Sequence, residues 1–181
     1  MGKSTAAEIL RARSVPVVDT DELARQLVQP GQPALAEIQT AFGPGIVGAD
    51  GQLRREELAR RVFADEVARK KLEAILHPRI RDRWLAQVAT WRAAGHATAV
   101  VVIPLLFETG AETNFDQIIC VACSAATQRE RLLARGWTAE QISRRIAAQW
   151  PVEKKMTLAH HVAWTEGDPD VLAAQLARII A

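Results

Sequence analysis

The chain opens Met1-Gly2-Lys3-Ser4-Thr5, and the last four of these residues are the closing half of a phosphate-binding loop, G-x-x-x-x-G-K-[ST]. That half-motif is demanding about its surroundings. In such a loop a buried strand runs into a glycine-rich turn, and the turn opens a helix whose first N–H groups face the phosphates. The residues that follow meet the demand. Ala6, Ile9 and Leu10 fall on one face of a helix reading from Lys3 to Arg13, and a short strand, Val15-Pro16-Val17-Val18, then ends at Asp19. In the loop reading, Gly2 lets backbone approach phosphate and Lys3 sets an ammonium against the β- and γ-phosphates. Ser4 offers a hydroxyl to Mg2+, and Thr5 a backbone N–H at the helix start. A chance Gly-Lys-Ser-Thr at an arbitrary terminus is the competing reading, and the helix and strand weigh against it.

The rest of the chain alternates short β-branched runs with longer helical stretches, the pattern of an α/β fold with a parallel sheet. Strands are expected at Thr98 to Ile103, stopped by Pro104, at Gln117 to Val121, and at His161 to Trp164. Asp168-Pro169 reads as the N-cap and first residue of a final helix. Between the strands lies a helical insertion over about 30–95, punctuated by Pro30-Gly31 and Phe42-Gly43-Pro44-Gly45. Its longest helix is expected from about Asp65 to Ala94, with a break near His77-Pro78. A length of 181 residues suits one domain. Its core is expected over about 1–29 and 96–181, with the insertion set into it.

Composition narrows the partners. With 23 basic and 21 acidic residues the net charge is only +2, which gives no general case for nucleic acid or a membrane surface. The longest apolar run, Ala97 to Phe107, is too short for a bilayer and contains Pro104. No secretory signal is visible, so a cytoplasmic protein is the simplest expectation. Cys120 and Cys123 end a predicted strand, where residues three apart point to opposite faces. The pair therefore reads as core packing and not as a redox or zinc motif.

Beyond the loop, three groups of residues could carry chemistry. Asp19 and Asp21 follow the first visible strand, and ligands of open α/β sheets bind beyond the carboxyl ends of strands. One could take a proton from an attacking hydroxyl or hold hydrated metal, and both could equally cap a helix. Arg25, four residues after Asp21, shares its face. Glu108 lies beyond the next strand, where it could orient substrate or be a plain surface acid. Gln128, Arg131 and Arg135 share a helical face, with Arg144 and Arg145 beyond the capping-box pattern Thr138-Ala139-Glu140-Gln141. These are the arginines of a mobile flap or a solvated basic face. His77 reads as a structural histidine, and Trp84 and Trp91, seven apart, as packing residues of the insertion.

Together these segments resemble the dephospho-CoA kinase family over nearly the whole chain. The resemblance is carried by Gly2 to Thr5, Val17 to Arg25, Val28-Gln29-Pro30-Gly31, Leu53 to Leu58 with Val62-Phe63, and Leu72 to Pro78. Ile103 to Glu108, Phe115-Asp116, Gln128 to Arg135 and Arg145 to Gln149 complete it. It implies transfer of the ATP γ-phosphate to the ribose 3′-hydroxyl of dephospho-CoA with Mg2+, the last step of coenzyme A synthesis. It also implies a P-loop nucleoside-kinase-like parallel sheet flanked by helices, a helical CoA-side domain, a lid over about 128–149, and a monomer. By position, Gly2, Lys3, Ser4 and Thr5 hold phosphate, with Ser4 on Mg2+. Asp21 is the base with Asp19 its rival, Arg131 and Arg135 are lid arginines, and Arg25, His77 and Glu108 face the acceptor. Two departures stand out. Thr165-Glu166-Gly167 replaces the family's Asn-x-Gly near the adenine. The family's opening strand and Gly-rich turn, roughly ten to fourteen residues, have no counterpart before Met1. The expected fold is thus a kinase with its first strand missing and weak turnover, the alternative being a non-catalytic relative that binds CoA-like ligands.

Overall fold

Short β-branched runs and longer amphipathic ones form the alternating strands and helices that their periods dictate. The computed structural model describes residues 1–180. In chain order these are α1 (Lys3–Ala12), β1 (Val17–Asp19), α2 (Thr20–Leu27), α3 (Pro33–Phe42), α4 (Arg55–Ala64), α5 (Glu66–Ala93) and β2 (Val100–Val102). Then come β3 (Ile119–Ala122), α6 (Ala125–Leu133), α7 (Ala139–Ala147), α8 (Val152–Leu158), β4 (His161–Trp164) and α9 (Pro169–Ile180). β1 neighbours β2 in one two-stranded sheet, and β3 neighbours β4 in another. The β3/β4 pair is parallel, with Ile119 against His161 and Ala122 against Trp164. Parallel neighbours require a crossover, and α6 to α8 supply it.

Contacts divide the chain into two compact units, Met1–Val17 with Val102–Ala181, and Val18–Val101. In the first, α1 packs on α9. Ala6, Ala7 and Leu10 are buried on α1 and Leu172 and Leu176 on α9, beside buried Ala122, Cys123 and Ala163. Small residues at 6 and 7 allow that close approach. Asp168 starts α9 as expected, its Oδ1 accepting from the Asp170 N–H at 2.8 Å. Thr138 and Gln141 form the capping box of α7, each side chain bonding the other's backbone. Among the described residues no helix is long and apolar enough to cross a membrane.

The second unit is wider than the helical stretch 30–95, since it also holds α2 and most of β1 and β2. Its core is Val28, Ile38, Ile46 and Leu58, with Phe42, Leu72, Ile75 and Leu76 packed against it. The expected break at His77-Pro78 does not occur: α5 runs unbroken through Pro78. Proline removes one N–H and crowds the carbonyl a turn back. Here packing outweighs that loss. Leu72, Ile75 and Leu76 are held by the core before the proline, and Trp84 is buried after it. Arg79 adds a donor to the Ile75 carbonyl at 2.6 Å and an ion pair with Glu37 at 2.5 Å.

Ile38 is fully buried at the centre of this core. Ile38→Ala is expected to lower unfolding stability by about 2–5 kcal/mol in urea denaturation.

Candidate functional site

The first unit gathers its polar chemistry where α1 begins. Gly2 is the N-cap of α1 and has φ 79° and ψ 11°, a left-handed conformation that side chains resist. A Cβ there would lie 2.9 Å from Thr165 Cγ2, so both backbone and space demand glycine. The helix has no side-chain cap, and its first-turn N–H groups are the kind that bind anions. Lys3, its first residue, is half-buried, whereas Ser4 and Thr5 are exposed.

Facing Gly2, Thr165 directly follows β4 and is buried. Arg131 of α6 grips it with both terminal nitrogens, donating to Thr165 Oγ1 at 2.9 Å and to its carbonyl at 2.6 Å. Thr165 Oγ1 in turn donates to the Met1 carbonyl at 3.4 Å. A cavity of about 240 Å³ opens here, lined by Gly2, Thr5, Arg131, Arg135 and Gly167, with apolar surface from Leu172. Its electrostatics are cationic. Burial above all lowers the pKa of the Met1 ammonium, and Lys3, Arg131 and Arg135 press it the same way against an opposing Cys123. Phosphate oxygens suit such a site.

Glu166, beside Thr165, is a residue that the motifs did not single out. Its carboxylate accepts from the Ser124 N–H at 2.8 Å and from Trp164 Nε1 at 3.1 Å. Hydrogen bonds from the Ser124 and Thr127 side chains, then from the Ser124 backbone, hold its pKa near 2. Ser124 is the N-cap of α6, so Glu166 ties the start of that helix to the loop after β4. The readable signal was the Ser124-Ala125-Ala126-Thr127 cap, because a helix N-terminus favours a nearby carboxylate.

The other arginines part company. Arg145 lies over the Trp137 ring at 4.7 Å, and Arg144 pairs with Glu140 at 2.5 Å. Glu108, also in this unit, is taken by protein groups, Lys155 at 2.6 Å and the Trp150 N–H at 2.9 Å. Burial works to raise its pKa, but these partners hold the carboxyl below its ordinary value.

The remaining residues lie in the second unit. Asp19 caps α2, its Oδ1 accepting from the Asp21 N–H at 2.8 Å. Asp21 is exposed in the first turn, and Arg25 is exposed near the end of the same helix. His77 is exposed on α5, so it does not serve as a packed structural histidine.

The family model for dephospho-CoA kinase matches residues 1–169. A dephospho-CoA kinase from Anaeromyxobacter dehalogenans is 45% identical over 181 residues, covering 99% of this chain and 86% of the relative. One from Bdellovibrio bacteriovorus is 40% identical over 179 residues, covering 99% and 89%. The chain belongs to the dephospho-CoA kinase family. Among solved structures, a Thermus thermophilus protein matches with a TM-score of 0.84 at 31% identity, covering 99% of this chain and 90% of that one. Dephospho-CoA kinase from Campylobacter jejuni matches with 0.71 at 25% identity, over 99% and 90%. The α/β P-loop kinase fold expected from the sequence is the fold of these relatives. The hydroxyl and carbonyl of Thr165 both serve Arg131.

Glu166 makes a pH prediction. Its pKa is depressed from 4.5 to about 2 on folding, so the ionised carboxylate stabilises the fold fully above pH 4.5, and the contribution is lost as pH falls through about 2. The stability gap between wild type and Glu166→Gln, read by urea denaturation, is expected to be constant from neutral pH to about 4.5 and to close below it.

Proposed function

We propose that this chain transfers the γ-phosphoryl group of ATP to the 3′-hydroxyl of the dephospho-CoA ribose, giving coenzyme A. The supporting observation is the cationic cavity in which the uncapped start of α1 meets Arg131 and Arg135. Phosphoryl transfer asks a protein mainly for positioning and charge stabilisation. In this reading Lys3 and the N–H groups of Gly2 to Thr5 hold the β- and γ-phosphates. Arg131, locked in place by Thr165, and Arg135 stabilise charge on the group in flight. The exposed Ser4 hydroxyl is a hard oxygen donor of the kind Mg2+ accepts while keeping most of its waters. When bound there, the ion would neutralise phosphate charge.

Asp21 takes the proton of the acceptor hydroxyl. It is preferred to Asp19 because the cap already occupies one Asp19 oxygen. Arg25 and His77, both exposed, face the acceptor. Glu108 Oε1 is already occupied, which leaves that residue a different task. The helical stretch 30–95 is the acceptor side, and α6 with α7 form the lid over about 128–149. The reading is completed by a monomeric cytoplasmic enzyme that works on small molecules and not on nucleic acid.

The test is ADP release and product mass with dephospho-CoA, ATP and Mg2+, and absence of ATP-dependent coenzyme A formation overturns the proposal. Lys3→Ala is expected to lower kcat/KM by about 10²–10³-fold. Asp21→Asn should lower kcat by about 10²–10⁴-fold, and near-normal turnover would transfer the base role to Asp19.

A further inference from the structure

Between the end of α7 and the start of α8 the chain is gripped by the loop that follows β2. Lys155 is 7% exposed, and its ammonium meets Glu108 Oε1 at 2.6 Å. It also reaches the Pro104 carbonyl at 3.4 Å and Gln149 Oε1 at 3.5 Å. The same Glu108 oxygen accepts from the Trp150 N–H at 2.9 Å. One residue earlier, the Phe107 ring lies parallel to that of Trp150, within 2° and at 6.5 Å. Residues 104, 107 and 108 thus hold residues 150 and 155, and Lys155 in turn reaches Gln149.

We infer that Glu108 and Lys155 form a clasp that fixes the C-terminal end of the α6–α7 flap, and are positioning residues for phosphoryl transfer. The inference rests on the flap reading above. Its first support is how little else holds the flap. From Leu133 to Ala148, every residue except Trp137 and Ile142 is exposed, and Ile142 is the one buried side chain in α7. Segments with so few buried contacts open at low free energy. The flap is therefore defined by its two ends. Glu166 on Ser124 and Arg131 on Thr165 hold the first. The Glu108–Lys155 clasp holds the second.

Its second support is the cost of the pair. A buried ammonium paired with a half-buried carboxylate is a poor way to gain stability, because desolvation offsets their attraction, and an apolar pair would serve as well. Glu108 Oε2 is in addition buried without a hydrogen-bond partner among the described residues, a further penalty. What the pair adds is direction: one carboxylate oxygen fixes both the ammonium and the Trp150 amide. Location is the third support. The Cys120 thiol, raised chiefly by burial, is pulled down by both Lys155 and Lys3, so the clasp and Lys3 act on the same buried side chain. Lys155 is already neutralised by Glu108, so it is not itself a phosphate ligand.

The experiment uses the full chain and two readouts, steady-state kinetics and amide hydrogen exchange. In the double variant Glu108→Leu/Lys155→Met the charges vanish together and no buried ion is stranded. It is expected to exchange about tenfold faster over 139–149, with 161–180 unchanged. Its kcat should fall about tenfold or more while KM for ATP moves less than about threefold. Lys155→Arg alone, which keeps the charge opposite an intact Glu108, should stay close to wild type in both readouts. If the double variant does not fold, isosteric Glu108→Gln is expected to shift both in the same direction. Wild-type exchange over 139–149 in a folded variant overturns the clasp, as does a kcat loss without faster exchange there. A wild-type chain inactive on dephospho-CoA would instead defeat the functional reading, with the exchange result still deciding the clasp.

Discussion

Arg131 commits both terminal guanidinium nitrogens to Thr165, and Thr165 lies against Gly2 closely enough to exclude a Cβ there. The start of α1, the residue that follows β4 and the body of α6 are thereby joined at one point. None of the three could shift alone without breaking a bidentate grip or opening a void. A planar fork on two fixed oxygens is stiff, and stiffness matters where catalysis depends on where charges sit before the reaction begins. The left-handed backbone at Gly2 and the lack of room beside it each require glycine.

The second unit is organised by a different force. Its aliphatic core gathers α2 to α5 around Ile38 and Ile46, and that packing carries α5 straight through a proline. Burial of several aliphatic side chains is worth more than one lost backbone hydrogen bond. The first unit, by contrast, uses polar ties at the ends of α6–α7, where Ile142 is the one buried side chain from 133 to 148. Both ends of α6–α7 are held by charged side chains, Glu166 and Arg131 at one and Glu108 with Lys155 at the other.

Much of this was legible along the chain. The helix after Gly2, the strand at His161 to Trp164, the Asp168 cap and the Thr138 capping box are local features, decided by neighbours within about four residues. Gly2, Thr5, Arg131 and Arg135 were singled out by motif, and one cavity collects them. Glu166 and Lys155 were not visible, because their partners stand 42 and 47 residues away by the numbering of Ser124 and Glu108. The break at Pro78 was expected because propensity is local, whereas the packing that overrides it is not.

The sequence by itself determined the family, the order of helices and strands, and the phosphate-loop motif at Gly2 to Thr5, since these depend on residue type and short spacing. Only the tertiary structure decided which charges are committed. Asp19 caps, Arg131 grips Thr165, Glu108 meets Lys155, and Asp21 stays exposed. A carboxylate or guanidinium looks the same in any sequence. Its partner is set by which distant segment the fold brings within hydrogen-bond reach, and that is a property of the packed chain.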